Sequence, residues 1–256
     1  MSQSKERPQS CPPYNPGVRD LIAGKRQWSS KQDHDAAKGN YRGWHERGYL
    51  PHRDEPGLTQ FVTFRLADTF PIALRSEWEH LWKIEDNEKR RIELEAYLDQ
   101  GKGDCWLKRS EIAELVESNI LNHSGLPETE NPPDDNGDCD DRTAGSLKFR
   151  YQLRAWCIMP NHVHVLFKVG GVSMSEIVGS WKKHTSRLAN RGLGKSGAFW
   201  AEDYFDVYMR DAEHERKTVR YIENNPAKAK LVLDPKDWPW SSARFRDAVD
   251  VLRLPG

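Results

Sequence analysis

Along residues 60–66, Val62, Phe64 and Leu66 alternate with Thr63 and Arg65, the period-two pattern of a strand with one apolar face. The period then lengthens. Leu74, Trp78, Leu81 and Trp82 recur at helical spacing among many charges, which predicts a helix over 74–100 ended by Gly101 and Gly103. A shorter helix is predicted over 110–121, with Ser110 as its N-cap and Ile112, Leu115 and Val116 on its apolar side. Two strand-like runs, 148–157 and 163–169, flank Met159, Pro160 and Asn161 and should pair as an antiparallel hairpin closed by Gly170 and Gly171. A helix over 173–190 follows, with Ile177, Trp181 and Leu188 inward and Lys182, Lys183, Arg187 and Arg191 outward. A strand over 205–209 leads to a last helix over 212–224, which Pro226 should stop. Strand, helices, hairpin, helix, strand, helix is the order of an α+β fold, a small antiparallel sheet with helices packed on one face, loosely ferredoxin-like.

Two segments lack such patterns. Residues 1–55 are rich in Pro, Ser, Gln, Lys, Asp and Gly and read as a largely irregular or disordered extension, although 44–51 have aromatic character enough to pack on a domain. Residues 122–146 read as a flexible acidic insertion in a single domain spanning 56–250. The chain has 256 residues, 37% hydrophobic and 30% charged, so a modest core carries long polar segments. Its formal net charge is zero, which removes any global basic field. The distribution is uneven: residues 173–230 hold 11 Lys and Arg against 8 Asp and Glu, while 128–141 hold seven acidic residues and no basic one. Cys11, Cys105, Cys139 and Cys157 are widely spaced, which argues against a disulfide scaffold or structural zinc. Neither a membrane-length apolar run nor a signal-peptide core is present, so the expectation is a soluble, cytoplasmic protein without a membrane partner.

Candidate chemistry concentrates in two places. In WCIMPNHVHVLF (156–167), His162 and His164 are two residues apart in a strand and therefore share a face, opposite Val163, Val165 and Phe167. Two imidazoles on one face are able to chelate a divalent cation. On the last helix His214, Thr218, Tyr221 and Asn225 fall on one polar stripe, leaving Val219 and Ile222 to anchor the helix to the sheet.

His-hydrophobic-His on a strand, followed by Tyr221-x-x-x-Asn225 on a closing helix, resembles the HUH endonuclease superfamily and its single-tyrosine transposase branch. More closely, WCIMPNHVHVL (156–166), FW (199–200), YFD (204–206), RD (210–211), YIENNPAKA (221–229) and WPWSSAR (238–244) are similar to the REP-associated tyrosine transposases. The similarity covers about 61–245 and extends weakly to GYLPH (48–52). It implies an enzyme that cleaves and rejoins single-stranded DNA at hairpin-containing repeats, in the cytoplasm at the nucleoid, as a monomer or homodimer. Tyr221 would attack the scissile phosphodiester to form a 5′-phosphotyrosine and free a 3′-hydroxyl. Because a phenol is a weak nucleophile with a pKa near 10, the attack calls for a metal on the phosphate. The resemblance assigns that metal to His162, His164 and Asn225, and the mixed nitrogen and oxygen donors suit Mg²⁺ or Mn²⁺, although two imidazoles also suit Zn²⁺. Insertion-sequence members commonly have Gln at the position of Asn225, a longer side chain than this chain provides.

Lys182, Lys183, Arg187, Arg191, Arg210, Arg216 and Arg220 are candidate DNA contacts. Trp200, Tyr204, Trp238 and Trp240 either stack bases or fill the core. A histidine-triad hydrolase is excluded by leucine at position 166, and a zincin by the absence of His-Glu-x-x-His. Cys157 precedes the hairpin turn, but its apolar neighbours favour an inert thiol. The rival from another class is a domesticated, non-catalytic DNA-binding or regulatory protein that keeps the fold.

Overall fold

The computed structural model describes residues 41, 43–47, 50–69, 87–122, 124–125 and 149–254. In chain order these form β1 (Gly43–Arg47), β2 (Leu50–Asp54), β3 (Thr59–Arg65), α1 (Asn87–Leu98), α2 (Ser110–Leu121), β4 (Tyr151–Ile158), β5 (His162–Val169), α3 (Met174–Leu193), β6 (Phe205–Tyr208) and α4 (Ala212–Lys228). Short 3₁₀ turns at Trp106–Lys108, Pro235–Asp237 and Ser242–Phe245 complete them. The start of the helix expected over 74–100 and nearly all of the acidic insertion and N-terminal extension lie outside the described residues.

The alternating runs become one four-stranded antiparallel sheet in the order β4-β5-β3-β6. β3, α1 and α2, the β4–β5 hairpin, α3 and β6 follow one another as the strands and crossovers of a ferredoxin-like unit do. On one face Val62, Phe64, Val163, Val165 and Phe167 pack against Ile112, Val116, Ile177, Val178 and Trp181 of the crossover helices α2 and α3. The other face carries Phe61, Ala155, Cys157 and Leu166 beneath Ile222 of α4, with Val219 packed beside them. Helices therefore cover both faces, which corrects the one-face expectation. The reason lies in β3 and β5, where residues of both parities are buried, so both sides of the sheet need a cover.

A β-bulge at Arg154 separates the pairs Leu153–Phe167 and Ala155–Leu166, so Tyr151 and Leu153 share a face with Trp156 and Ile158. An inserted residue shifts side-chain parity by one. β4 is an edge strand, and the segment after α4 covers it: Ile158 N–H donates to Trp240 O at 2.8 Å, Trp156 N–H to Ser242 Oγ at 3.1 Å, and Trp238 Nε1 to Ile158 O at 2.9 Å. Arg246 then joins three elements. Its guanidinium donates Nε to both oxygens of Glu223 on α4, at 2.7 and 2.8 Å, and another nitrogen to the bulge carbonyl of Arg154 at 2.8 Å. Ser242 Oγ also donates to Glu223 Oε1, at 2.5 Å. Burial pushes the Glu223 carboxyl up, and Ser242 and Arg246 oppose that shift.

Three local expectations change. Ser110 is the first helical residue of α2, with Arg109 at the N-cap, because the Arg109 carbonyl already accepts from Ile112 and Ala113. Pro226 lies inside α4, whose last turn ends at Lys228. The missing N–H removes only one bond near the helix end, and Ala229 and Leu231 close that end on the carbonyls of Asn225 and Pro226. Within the stretch read as irregular, β1 and β2 form a hairpin whose ladder requires no apolar period. It is tied to the sheet, because Arg53 stacks on Tyr208 at 4.5 Å and Asp54 Oδ1 accepts from Met174 N at the start of α3. No helix among the described residues is long and apolar enough to cross a membrane.

Replacing Arg246 by Met leaves the Glu223 carboxyl buried without its charged partner, which costs about 3 kcal/mol. Urea denaturation of Arg246→Met against wild type should show the midpoint fall, and a smaller fall when Glu223→Gln is added. An Arg246→Met midpoint equal to wild type would mean that the clamp contributes nothing to stability.

Candidate active site

The site forms where β5 faces α4. Because β5 pairs with β3 so that His164 is opposite Thr63 and His162 opposite Arg65, both imidazoles point to the face beneath α4. Each ring is held from behind. Asn161 donates its amide to the carbonyls of Leu98 and Lys102, both at 3.1 Å, which leaves Asn161 Oδ1 to accept from His162 Nδ1 at 2.7 Å. Thr63 Oγ1 lies 2.8 Å from His164 Nδ1. Both histidines are fully buried, and burial lowers the pKa of His162 to about 3. A neutral His162 with its proton on Nδ1 bares Nε2 as a lone pair.

That lone pair faces His164, whose Nε2 is 3.0 Å away. Two bare imidazole nitrogens at that distance repel unless a cation or a proton lies between them. α4 supplies the next groups. Asn225 is fully buried, with Nδ2 3.3 Å from His164 Nε2 and 3.0 Å from Tyr221 Oη. Asn225 Oδ1 is buried and has no hydrogen-bond partner among the described residues. Half a turn of the amide exchanges Oδ1 and Nδ2, which presents the orphan oxygen to the histidines and a donor elsewhere. The side chain of Asn225 is thus long enough to span from His164 to the tyrosine. Tyr221 is half-buried, its ring edge-on to His164 with 5.8 Å between centroids and edge-on to Phe61 at 6.0 Å.

Two imidazole nitrogens and an amide oxygen, where the imidazoles are unprotonated, fit a divalent cation that keeps positions open for phosphate oxygens. Among the described residues no group of three or more His, Cys, Asp or Glu is placed to hold an ion. With no carboxylate in the set, such an ion would keep its full charge for a phosphate.

The structure divides the candidate DNA contacts. Arg216 and Arg220 are exposed on α4 and Arg210 just before it, all upstream of Tyr221 in the chain. Lys182, Lys183, Arg187 and Arg191 lie on α3, which packs on the opposite face of the sheet from the histidines. There Lys182 and Lys183 line a shallow hollow of about 380 Å³ with Trp200 and Tyr204. Trp200 and Tyr204 are buried in the core, and Trp200 Nε1 donates to Thr185 Oγ1. Trp238 and Trp240 are half-buried against the two cores. Cys157 is buried opposite His164, and burial drives its thiol far up, so it is no nucleophile. Thr63 and Asn161, which orient the rings, have no assigned role in the sequence pattern; Asn161 lies inside the motif, whereas Thr63 is found only through the β3–β5 register.

Because His162 titrates near 3 when folded and near 6.5 when unfolded, the unfolded chain binds the extra proton between those values, and stability rises with pH across that window. The metal-free protein should lose stability as pH falls from about 6.5 toward 3, and His162→Gln should flatten the curve. Thermal melts at stepped pH check this; equal slopes for wild type and variant would contradict it.

Among known families, the model of the IS200-like transposases matches residues 144–225. No curated protein matches the chain. Of solved structures, the chain is similar to a REP-associated tyrosine transposase bound to a REP hairpin, at 16% identity over 82% of this chain and 91% of that one, with a TM-score of 0.42. It is also similar to a putative transposase from Deinococcus radiodurans R1, at 13% identity over 71% and 96% of the two chains and a TM-score of 0.27. The segment that holds β4, β5, α3, β6 and α4 through Asn225, and with it His162, His164 and Tyr221, matches the IS200-like transposase family.

Proposed function

We propose that the protein is a metal-dependent single-stranded DNA endonuclease and strand transferase that works through a covalent 5′-phosphotyrosine. One observation carries this reading: an unbroken path from Tyr221 Oη through the Asn225 amide to His164 and His162, with steps of 3.0, 3.3 and 3.0 Å. A nucleophile that shares its helix with a metal ligand is held in register with the metal. Mg²⁺ or Mn²⁺ bound by His162, His164 and Asn225 would supply a Lewis acid for the scissile phosphate.

The chain's own groups do the rest. Asn161 and Thr63 fix the two rings, so the nitrogens facing the site keep their orientation as DNA enters. Asn225 Nδ2 donates to the Tyr221 hydroxyl, and after the half-turn that presents Oδ1 to the histidines that oxygen would accept from the hydroxyl instead; either contact limits the ring to few orientations. The bond from Tyr221 Oη to phosphorus forms as the bond to the 3′-oxygen breaks, and the proton lost by the phenol is balanced by the one the 3′-oxygen gains. Attack by another 3′-hydroxyl reverses these changes and rejoins DNA without an external energy source. The substrate, a hairpin with unpaired DNA beside it, follows from the motifs shared with REP-associated transposases. Arg210, Arg216 and Arg220, exposed on or just before the helix that carries Tyr221, are the candidates for holding its backbone.

Incubating the full chain with labelled single-stranded hairpin repeats from its own genome and Mg²⁺ or Mn²⁺ should give a covalent adduct on a denaturing gel. Tyr221→Phe and His162→Ala should each lower the adduct below roughly a thousandth of wild type, and chelation with EDTA should abolish it. Binding without an adduct at any metal would favour the non-catalytic DNA-binding alternative. An adduct that survives Tyr221→Phe would place the nucleophile elsewhere.

A further inference from the structure

We infer that Lys228 is a phosphate contact of the strand-cleavage site, held ready beside the nucleophile by Asp99; this rests on, and extends, the tyrosine reaction proposed above. On α4, Tyr221, Asn225 and Lys228 are spaced by four and three residues and so lie along one face of the helix. Asn225 touches the tyrosine hydroxyl, and Lys228 Nζ stands 5.6 Å from the centroid of the tyrosine ring. The same ammonium is 3.6 Å from Asp99 Oδ2, just past the end of α1.

The pair is uneven. The Lys228 side chain is 55% exposed and that of Asp99 only 16%. Asp99 Oδ1 is buried without a hydrogen-bond partner among the described residues. Burial raises the Asp99 pKa and Lys228 opposes the shift, so the carboxylate is poorly solvated and weakly matched. An exposed ammonium at this distance from a half-buried carboxylate is easily drawn to a second anion. A phosphodiester, ionised at any physiological pH, is such an anion, and one seated for attack by Tyr221 lies within the compass of a long, flexible lysine.

The geometry also explains why this lysine stands apart from the other basic residues. Lys182, Lys183, Arg187 and Arg191 lie across the sheet on α3, where they are able to bind only more distant DNA. Arg216 and Arg220 lie earlier on α4 than Tyr221, whereas Lys228 lies beyond it, on the side of Asn225. Charge that builds on the phosphate oxygens as Tyr221 attacks would be met there by an ammonium already in place. Asp99 is a positioning residue in this scheme, because it keeps the lysine folded against the ring and never meets the DNA.

The test compares full-length wild type, Lys228→Gln, Lys228→Arg and Asp99→Asn in two assays. Single-turnover adduct formation on the hairpin repeats should slow roughly 10- to 100-fold in Lys228→Gln and return to within several-fold of wild type in Lys228→Arg. In the second assay, a fluorescein-labelled poly-dT oligonucleotide is titrated at several salt concentrations. The slope of log affinity against log salt should drop by about one for Lys228→Gln and stay for Lys228→Arg. Asp99→Asn should keep the slope and tighten binding, since the lysine loses its competing carboxylate. Lys228→Arg and wild type should melt together, whereas Lys228→Gln leaves the Asp99 carboxylate without its cation and should melt slightly earlier.

A Lys228→Gln variant with wild-type adduct rate and salt slope overturns the inference while leaving the tyrosine reaction intact. So does a slow variant that melts early and is not rescued by arginine, because that marks a structural role. If wild type forms no adduct, the tyrosine reading fails, and the salt slope alone still decides whether Lys228 meets phosphate.

Discussion

The antiparallel ladder between β3 and β5 is the constraint on which the site depends. Its register sets Thr63 against His164 and Arg65 against His162, and the pleat sends all four to one face. A slip of one residue would turn both imidazoles into the apolar core under α2 and α3 and bring Val163 and Val165 to the site. The burial of Val163, Val165 and Phe167 against Trp181 and Ile177 therefore does more than stabilise the sheet. Each apolar contact on one face makes the slipped register costly, and so holds the histidines on the other.

Desolvation then gives the pair its chemistry. Sealed beneath α4, His162 stays neutral far below the range in which an exposed imidazole takes a proton. Asn161 and Thr63 occupy the rear nitrogens, and the two front nitrogens converge at 3.0 Å. With a proton of one ring between the two front nitrogens the metal-free pair is a neutral hydrogen bond, and a cation bound there would replace that proton, with the orphaned amide oxygen alongside. A divalent cation among these ligands, with a phosphate at its open positions, is what the proposed reaction would add there.

α4 has to be fixed to the same standard, since it carries both Tyr221 and Asn225. Ile222 seats it on the sheet, and Glu223 ties it to Ser242 and Arg246 of the segment that also covers the edge of β4. The WPWSSAR motif is explained by this role: its serines and tryptophans complete an exposed edge, and Arg246 after it clamps the helix that carries Tyr221. Trp200 and Tyr204, equally suggestive of base stacking in the sequence, are packed inside. Aromatic residues in a motif do not by themselves distinguish a stacking platform from a core, because both uses need a large flat side chain.

Much of the fold was legible along the chain because period is a local property. Alternation marked β3 and the β4–β5 hairpin, helical spacing marked α2, α3 and α4, and the shared face of His162 and His164 followed from the pleat alone. Pro226 misled by four residues, since its penalty is small in a last turn, and the hairpin β1–β2 was hidden because backbone pairing leaves no apolar signature. Other features depend on which distant residues meet. The bulge at Arg154 reverses the parity of β4, α4 takes the face opposite α2 and α3, and Thr63 meets His164, as Asp99 meets Lys228, across long stretches of chain. The sequence by itself determined which elements form and which side chains share a face of each, through steric and hydrophobic periodicity. Only the tertiary structure decided which faces meet, because register, burial and the pairing of charges are settled between segments that lie far apart in the chain.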